Sequence, residues 1–287
     1  MAGRSIRIGI VGLGQIGGSL MLALRRSGES LQLGGYDLNR KRLASAQPHL
    51  HFAAESETEL FRWAEIVFLA TPVQTILQLL HIAGNRYPSV LFTDVGSTKR
   101  AVVDCAHSYT SLRFVPGHPF AGNEREGEQG WDSELFSGRP YFLVSTEKTS
   151  KEDLNQIRHL VAAIGAHPVV LDAATHDRLL ALTSHLPLLL SAATALLFES
   201  LGPGNYPETI GSGIRSVARL AGGSPTMGRD LLFTNRDEVL PLLRRLKDVL
   251  DRFARELEQG NGQALLALLE RAQKLYWKRI ADSGGSV

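Results

Sequence analysis

The stretch IRIGIVGLGQIG, Ile6 to Gly17, decides the fold class of this 287-residue chain. Ile6, Ile8, Ile10 and Val11 make the first half read as a short buried strand. Gly12-Leu-Gly-Gln-Ile-Gly17 follows without a gap, and from Gly17 to Arg26 the apolar spacing becomes helical. A G-x-G-x-x-G turn between a strand and a helix is the context in which this motif binds a dinucleotide. Gly12 allows the tight turn, Gly14 lets a pyrophosphate approach the backbone, and Gly17 lets the helix pack on the strand. The helix start at Gln15 and Ile16 then offers backbone N–H donors to the phosphates. A second strand, Leu31–Tyr36, ends at Asp37, twenty residues past Gly17. A carboxylate there accepts hydrogen bonds from the adenosine ribose and repels a 2′-phosphate, so NAD is expected over NADP. Arg40 close by leaves some room for the phosphorylated form.

Further strands follow in α/β rhythm. Ile66–Ala70 ends at Thr71-Pro72, Val90–Asp94 ends at Gly96-Ser97-Thr98-Lys99, and Arg113–Pro116 ends at His118. Ligands of an open parallel sheet sit outside the carboxyl ends of its strands, so Thr71, Pro72, Ser97 and His118 are expected at the cofactor. Tyr141–Thr146 and Pro168–Leu171 are expected to complete the sheet. From Ala173 long helical patterns take over. Leu186–Phe198 is apolar nearly all round and should be buried on every side, in a homodimer interface or as a central core helix. Val239–Leu257 is amphipathic, Gly260-Asn-Gly262 breaks it, and a last helix runs to about Ile280.

The bulk numbers bound the rest. A chain of 287 residues suits two domains, placed here at 1–172 and 173–287. Hydrophobic residues at 44% and charged residues at 21% are ordinary for a globular protein. A net charge of +2 with both signs interspersed makes no case for nucleic acid. The nine histidines show no metal-ligand spacing, so no metal is expected. One cysteine, Cys105, allows no internal disulfide and fits a reducing, cytoplasmic setting. Ile6–Val11 is too short for a signal peptide and Leu186–Phe198 too short for a membrane span, so no membrane partner is expected.

Three polar residues stand in unusual places. His118 lies between Gly117 and Pro119, His185 sits at the start of the apolar helix, and Arg219 follows Arg215 by four residues, on one expected helical face. Singly, each has a plain reading as a turn residue, a core histidine or a solvated charge. Their company changes that. GLGQIGGSL, FLATPV, DVGSTK, GHPFAGNEREG, HDRLLALTSHLP and SVARLAGGSP occur in order along nearly the whole chain, which resembles the prephenate and arogenate dehydrogenase family of tyrosine biosynthesis. The resemblance implies an α/β fold, with a Rossmann-type doubly wound sheet followed by an all-helical dimerisation domain. It implies that His118 is the catalytic histidine at the substrate's ring hydroxyl, with Ser97 orienting it beside the nicotinamide. His185 resembles a second active-site histidine, Arg219 the arginine for the ring carboxylate, and Glu124 an acidic residue at the pocket mouth. Arg215 is taken as a further substrate-binding candidate. A histidine serving as base is expected to titrate within about a unit of ~6.5.

Two departures touch substrate choice. Many members carry a second histidine after the proline of SHLP, where this chain has Leu188. Many prephenate-specific members have a tryptophan where this chain reads Met227-Gly228-Arg229, and some arogenate enzymes have glycine there. Prephenate and arogenate therefore both stay open as substrates. A β-hydroxyacid dehydrogenase would need a lysine in the first long helix of the second domain, and 175–200 has none. A non-catalytic NAD-binding regulator would keep Gly12, Gly14 and Asp37 but has no use for Ser97, His118 and Arg219 together. Since the chain ends soon after its last helix, no appended regulatory or chorismate mutase domain is expected, and tyrosine inhibition would act at the active site.

Overall fold

The computed structural model describes residues 5–122, 125, 127–201 and 210–281. Its main sheet has six parallel strands: β1 (Ile6–Val11), β2 (Leu31–Tyr36), β3 (Phe52–Ala53), β4 (Ile66–Leu69), β5 (Leu91–Asp94) and β6 (Arg113–Val115). Their order in space is β3-β2-β1-β4-β5-β6. The strand order reverses between β1 and β4, which opens a crevice at their carboxyl ends. The register Ile6↔Leu31 to Val11↔Tyr36 makes Gly12 and Asp37 leave the sheet side by side. Both faces are covered. Ile66 and Phe68 belong to one buried cluster and Val67 and Leu69 to another, as two-residue alternation requires. Each such side chain contributes about 1.5–3 kcal/mol by leaving water, so the sheet is a rigid base for the loops at its edge.

The two strands expected to complete this sheet do something else. β7 (Gly117–Pro119), β8 (Pro140–Val144) and β9 (His167–Leu171) form a separate three-stranded sheet. The switch falls at Pro116, which has no N–H to continue the ladder of β6 with β5. Its carbonyl accepts the N–H of Val144 at 2.8 Å, and the chain continues as β7, antiparallel to β8. His118 is opposite Phe142 in that pairing. It is therefore held by strand ladder rather than by a loose turn.

After β9 the chain is helical: Ala173–Leu180, a π-helical turn at Ala181–His185, and Leu186–Leu196. These run on as one helix, Ala173–Ser200, of 28 residues, whose most apolar 18-residue stretch has mean hydropathy 1.7, long and apolar enough to cross a membrane by length and composition. This corrects the shorter apolar segment read from sequence, because the turn lengthens the helix instead of ending it. Of Leu186–Leu196 only Leu186 and Ser191 are buried, while Leu190, Leu196, Leu197 and Phe198 are exposed. The all-round burial expected of this segment is not supplied within one chain.

Contacts divide the chain into two compact units, Met1–Arg236 and Asp237–Val287. The second holds most of helix Arg236–Glu258, then Gly262–Tyr276 and a π-helical turn at Trp277–Ala281. Gly260 turns the chain with φ +64°, a conformation that disfavours a side chain, and Asn261 caps the following helix through Ala264 N–H. Leu243, Val249, Leu250, Leu257, Leu266 and Leu269 of this unit are exposed.

Candidate active site

The glycine turn has the shape its sequence requires. Gly12 has φ +87°, and a Cβ there would lie 2.4 Å from the carbonyl oxygen of Ala70. A Cβ on Gly17 would lie 1.8 Å from the carbonyl oxygen of Gly12, whereas one on Gly14 would meet nothing within 4 Å. So Gly12 and Gly17 are demanded by the protein, and Gly14 leaves open space in front of the turn. Helix Gln15–Arg26 starts without a side-chain cap and with no acidic residue in its first turn, which leaves its positive end to an anion. Gln15, Ile16 and Gly14 are partly exposed at this start. Across the crevice, Thr71 Oγ1 is buried without a hydrogen-bond partner among the described residues, and Pro72 begins helix Val73–Ala83. An orphaned hydroxyl beside an uncapped helix and an open glycine fits a dinucleotide.

Trp131 completes the cradle, a role the sequence reading missed. Its Nε1 donates to the carbonyls of Leu13 and Gly14, at 2.9 and 3.1 Å, and a Cβ on Gly18 would strike it. Asp37 is buried and accepts the N–H of Leu13 and of Asn39, each at 2.7 Å. Its cation is Arg42, at 3.0 Å, whereas Arg40 pairs with Glu55 at 2.8 Å. The guanidinium paired with Asp37 is therefore Arg42, not the Arg40 singled out from sequence.

At the other end of the crevice a buried polar network surrounds His118. Asp94 closes β5, where Oδ1 accepts Gly117 N–H at 3.0 Å and Oδ2 accepts Gly96 N–H at 2.8 Å. Lys99, fully buried, pairs with Asp94 Oδ2 and donates to Gly117 O at 2.7 Å. Both backbone polar groups of Gly117 are thus clamped, and a Cβ there would lie 2.8 Å from Asp94 O. Burial pulls the Lys99 ammonium down, with Asp94 pulling the other way.

His118 Nδ1 lies 2.9 Å from His176 Nε2, and His176 Nδ1 lies 2.8 Å from Asp177 Oδ1. Among the described residues no hydrogen bond joins His118 to Ser97, which is partly exposed; His176 is the residue that holds the ring. Burial, then the neighbouring His176, Lys99 and His185, hold the His118 pKa well below the usual imidazole value. The near-6.5 titration expected from sequence is replaced by a histidine that stays neutral to lower pH. His185 is fully buried one π-helical turn along the same helix, and burial takes its pKa down to about 4. Asn235 places its side-chain Nδ2 2.7 Å from Asp177 O and 3.0 Å from His185 Nδ1. A backbone carbonyl only accepts, so that atom is the amide nitrogen and His185 Nδ1 the acceptor. The hydrogen of neutral His185 is then on Nε2, a buried donor with no partner among the described residues.

Arg215 and Arg219 lie on elements after the apolar helix. Arg215, in helix Ser212–Ala218, is exposed and donates to Ile210 O at 3.3 Å. Arg219 is exposed and begins a 3₁₀ turn, Arg219–Gly222, so the α-helix that carries Arg215 ends one residue before it. Glu124 lies outside the described residues. Asp94, Lys99, His176, Asp177 and Asn235 were missed as site residues. The first four sit inside the quoted segments DVGSTK and HDRLLALTSHLP, and Asn235 carries no local signal. Leu188 and Gly228, the two departures read from sequence, face each other: a Cβ on Gly228 would lie 3.4 Å from Leu188 Cδ2.

Residues 20–170 match the family described as "Prephenate dehydrogenase, nucleotide-binding domain", and residues 172–271 match "Prephenate dehydrogenase, dimerization domain". The chain is 31% identical over 274 residues to the prephenate dehydrogenase of Bacillus subtilis, covering 92% of this chain and 73% of that one. Among solved structures it resembles prephenate dehydrogenase from A. aeolicus in complex with hydroxyphenyl propionate and NAD+, with TM-score 0.86 and 25% identity over 97% of this chain and 99% of that one. It also resembles Synechocystis arogenate dehydrogenase, with TM-score 0.75 and 30% identity over 96% of this chain and 100% of that one. A glycine cradle and a buried histidine network on this fold, together with both matched domains, place the chain in the prephenate dehydrogenase family.

Proposed function

We propose that this chain catalyses NAD-dependent oxidative decarboxylation of prephenate to 4-hydroxyphenylpyruvate, a step of tyrosine biosynthesis. The observation that carries the reading is a buried His118, hydrogen-bonded to His176 and just past the carboxyl end of a sheet whose first turn is an open glycine cradle. Gly12, Gly14, Gln15, Ile16, Gly17, Asp37, Thr71, Pro72 and Ser97 are the residues assigned to the cofactor. Bound NAD supplies the hydride acceptor. His118 accepts the hydrogen of the C4 hydroxyl as hydride departs from C4 and carbonyl character develops there. The C1–carboxylate bond then breaks, its electron pair enters the ring, carbon dioxide leaves, and the proton returns to oxygen as the ring becomes a phenol. Aromatisation makes the step effectively irreversible. His185 offers an N–H to an anionic or carbonyl oxygen of the substrate. Arg219, with Arg215 as a further candidate, is assigned to the carboxylate end, where a guanidinium binds bidentately, and Glu124 to the pocket mouth.

Arogenate, with an amino group in place of the side-chain keto group, is the second reading. It is favoured by the likeness to an arogenate dehydrogenase at 30% identity. The paired Leu188 and Gly228 add to it. NADH formation with each substrate separates the two, and activity with neither overturns both. His118→Asn removes the base, for which a fall of about 10²–10⁴-fold in kcat is expected. We assign residues 1–172 to nucleotide binding and 173–287 to substrate binding and dimerisation in a cytoplasmic homodimer. Exposed Leu196, Leu197 and Phe198 support that assembly.

A further inference from the structure

The reaction above makes no use of His176 or Asp177, yet both are fully buried and joined to His118 in a chain. Asp177 also accepts the N–H of Lys99 at 2.7 Å and of Arg100 at 2.9 Å. Burial pushes the Asp177 carboxyl up, but the donors around it outweigh that and hold it below the usual carboxylate value. Asp177 is therefore ionised and only accepts, so the hydrogen between it and His176 belongs to His176 Nδ1. Burial lowers the pKa of His176 despite the pull of Asp177, which makes the ring neutral. Its Nε2 then carries a lone pair, and the facing atom, His118 Nδ1, must donate.

We propose that His176, oriented by Asp177, is a positioning residue that holds His118 in its Nδ1–H tautomer, so that Nε2 is the atom that receives the substrate's hydroxyl proton. The proposal rests on the reading of His118 as the base. It assigns the buried pair one function in the ground state and another during reaction. Before reaction, the hydrogen bond excludes the tautomer whose Nε2 is already protonated. During reaction, both nitrogens of His118 carry hydrogen, and its Nδ1–H bond to His176 becomes charge-assisted. The ionised Asp177 one ring away then stabilises the cation. Among the described residues, the charged and titratable groups facing His118 are His176 from helix Ala173–Leu180, Lys99 from the start of helix Arg100–His107, and His185 from the π-helical turn. Lys99 opposes the cation, and its pairing with Asp94 moderates that opposition.

The test reads the tautomer directly. In the full-length protein labelled with ¹⁵N-histidine, ring ¹H–¹⁵N correlations report which nitrogen of each neutral imidazole is protonated, and His118→Asn assigns the signals of His118. The expected result is His118 as Nδ1–H in the free enzyme; finding it as Nε2–H overturns the proposal. Kinetics give the second arm. His176→Leu removes the acceptor, and kcat should fall about 10–100-fold, the usual cost of losing such an orienting partner, with KM little changed. His176→Gln presents an amide oxygen to the same N–H and should recover most of that loss. Equal kcat for the two variants overturns the proposal. Should the leucine variant not fold, the wild-type tautomer decides alone. A fully active His118→Asn instead sinks the reading of His118 as base, and a wrong tautomer with an inactive His118→Asn sinks only the role of His176.

Discussion

Acidification should unfold this protein before it protonates the base. His118, His176 and His185 are buried and each has its pKa lowered, first by burial. In the unfolded chain they return to about 6.5. The unfolded state therefore binds protons that the folded state refuses once pH falls below about 6.5. Stability is complete above that pH and drains away as pH drops towards the folded pKa values. For His185, depressed to about 4, the full loss is about 3 kcal/mol. While all three stay neutral, the slope is roughly 4 kcal/mol per pH unit, against a total stability of about 5–15 kcal/mol for a typical domain. Urea unfolding followed by circular dichroism at about pH 8, 6.5 and 5.5, at fixed protein concentration, measures this slope. His185→Gln removes one of the three groups and should lower the slope by about a third. A midpoint that does not move between about pH 7 and 5, or a variant slope equal to that of the wild type, refutes the linkage argument.

The same lowered pKa keeps His118 neutral, so kcat/KM should stay level as pH falls through about 6.5, up to the pH where the protein unfolds; an acid limb centred near 6.5 in folded enzyme would contradict it. NAD should support turnover better than NADP, and Asp37→Ser should weaken the preference because Arg42 is left facing the 2′-phosphate, so an unchanged ratio of kcat/KM for the two cofactors counts against that assignment. Gly17→Ala should abolish the cradle, since its Cβ would sit 1.8 Å from a backbone oxygen that cannot swing away, and cofactor titration with retained affinity would contradict it. Light scattering at micromolar concentration should report a dimer, and a monomer would leave the exposed Leu196, Leu197 and Phe198 without an explanation.

Local chemistry makes the first part of this fold legible. IRIGIV, the glycine spacing and Asp37 each act through backbone conformation or a near neighbour, and the strand–turn–helix they imply is what forms. Short apolar runs in α/β rhythm likewise announce β4 and β5, buried on both faces. His118 and His185 stand out because imidazoles beside proline, at the ends of apolar runs, have few structural uses. Other features needed the chain assembled. Pro116 is visible in the sequence, but whether β6 ends there or the strand leaves for a second sheet depends on β8 and β9 offering new partners. Asp94, Lys99, His176, Asp177 and Asn235 are charged or polar residues that pattern reading assigns to the surface, and they are buried because they satisfy one another. Asn235 is 58 residues from Asp177 and 50 from His185, and Asp177 is 78 from Lys99. Hydrogen bonds over such separations leave no periodicity to read. The sequence thus determined the glycine cradle and which imidazoles stand out, while only the tertiary structure decided which partner each ring nitrogen meets, because a tautomer is set by the partner that folding brings within 3 Å.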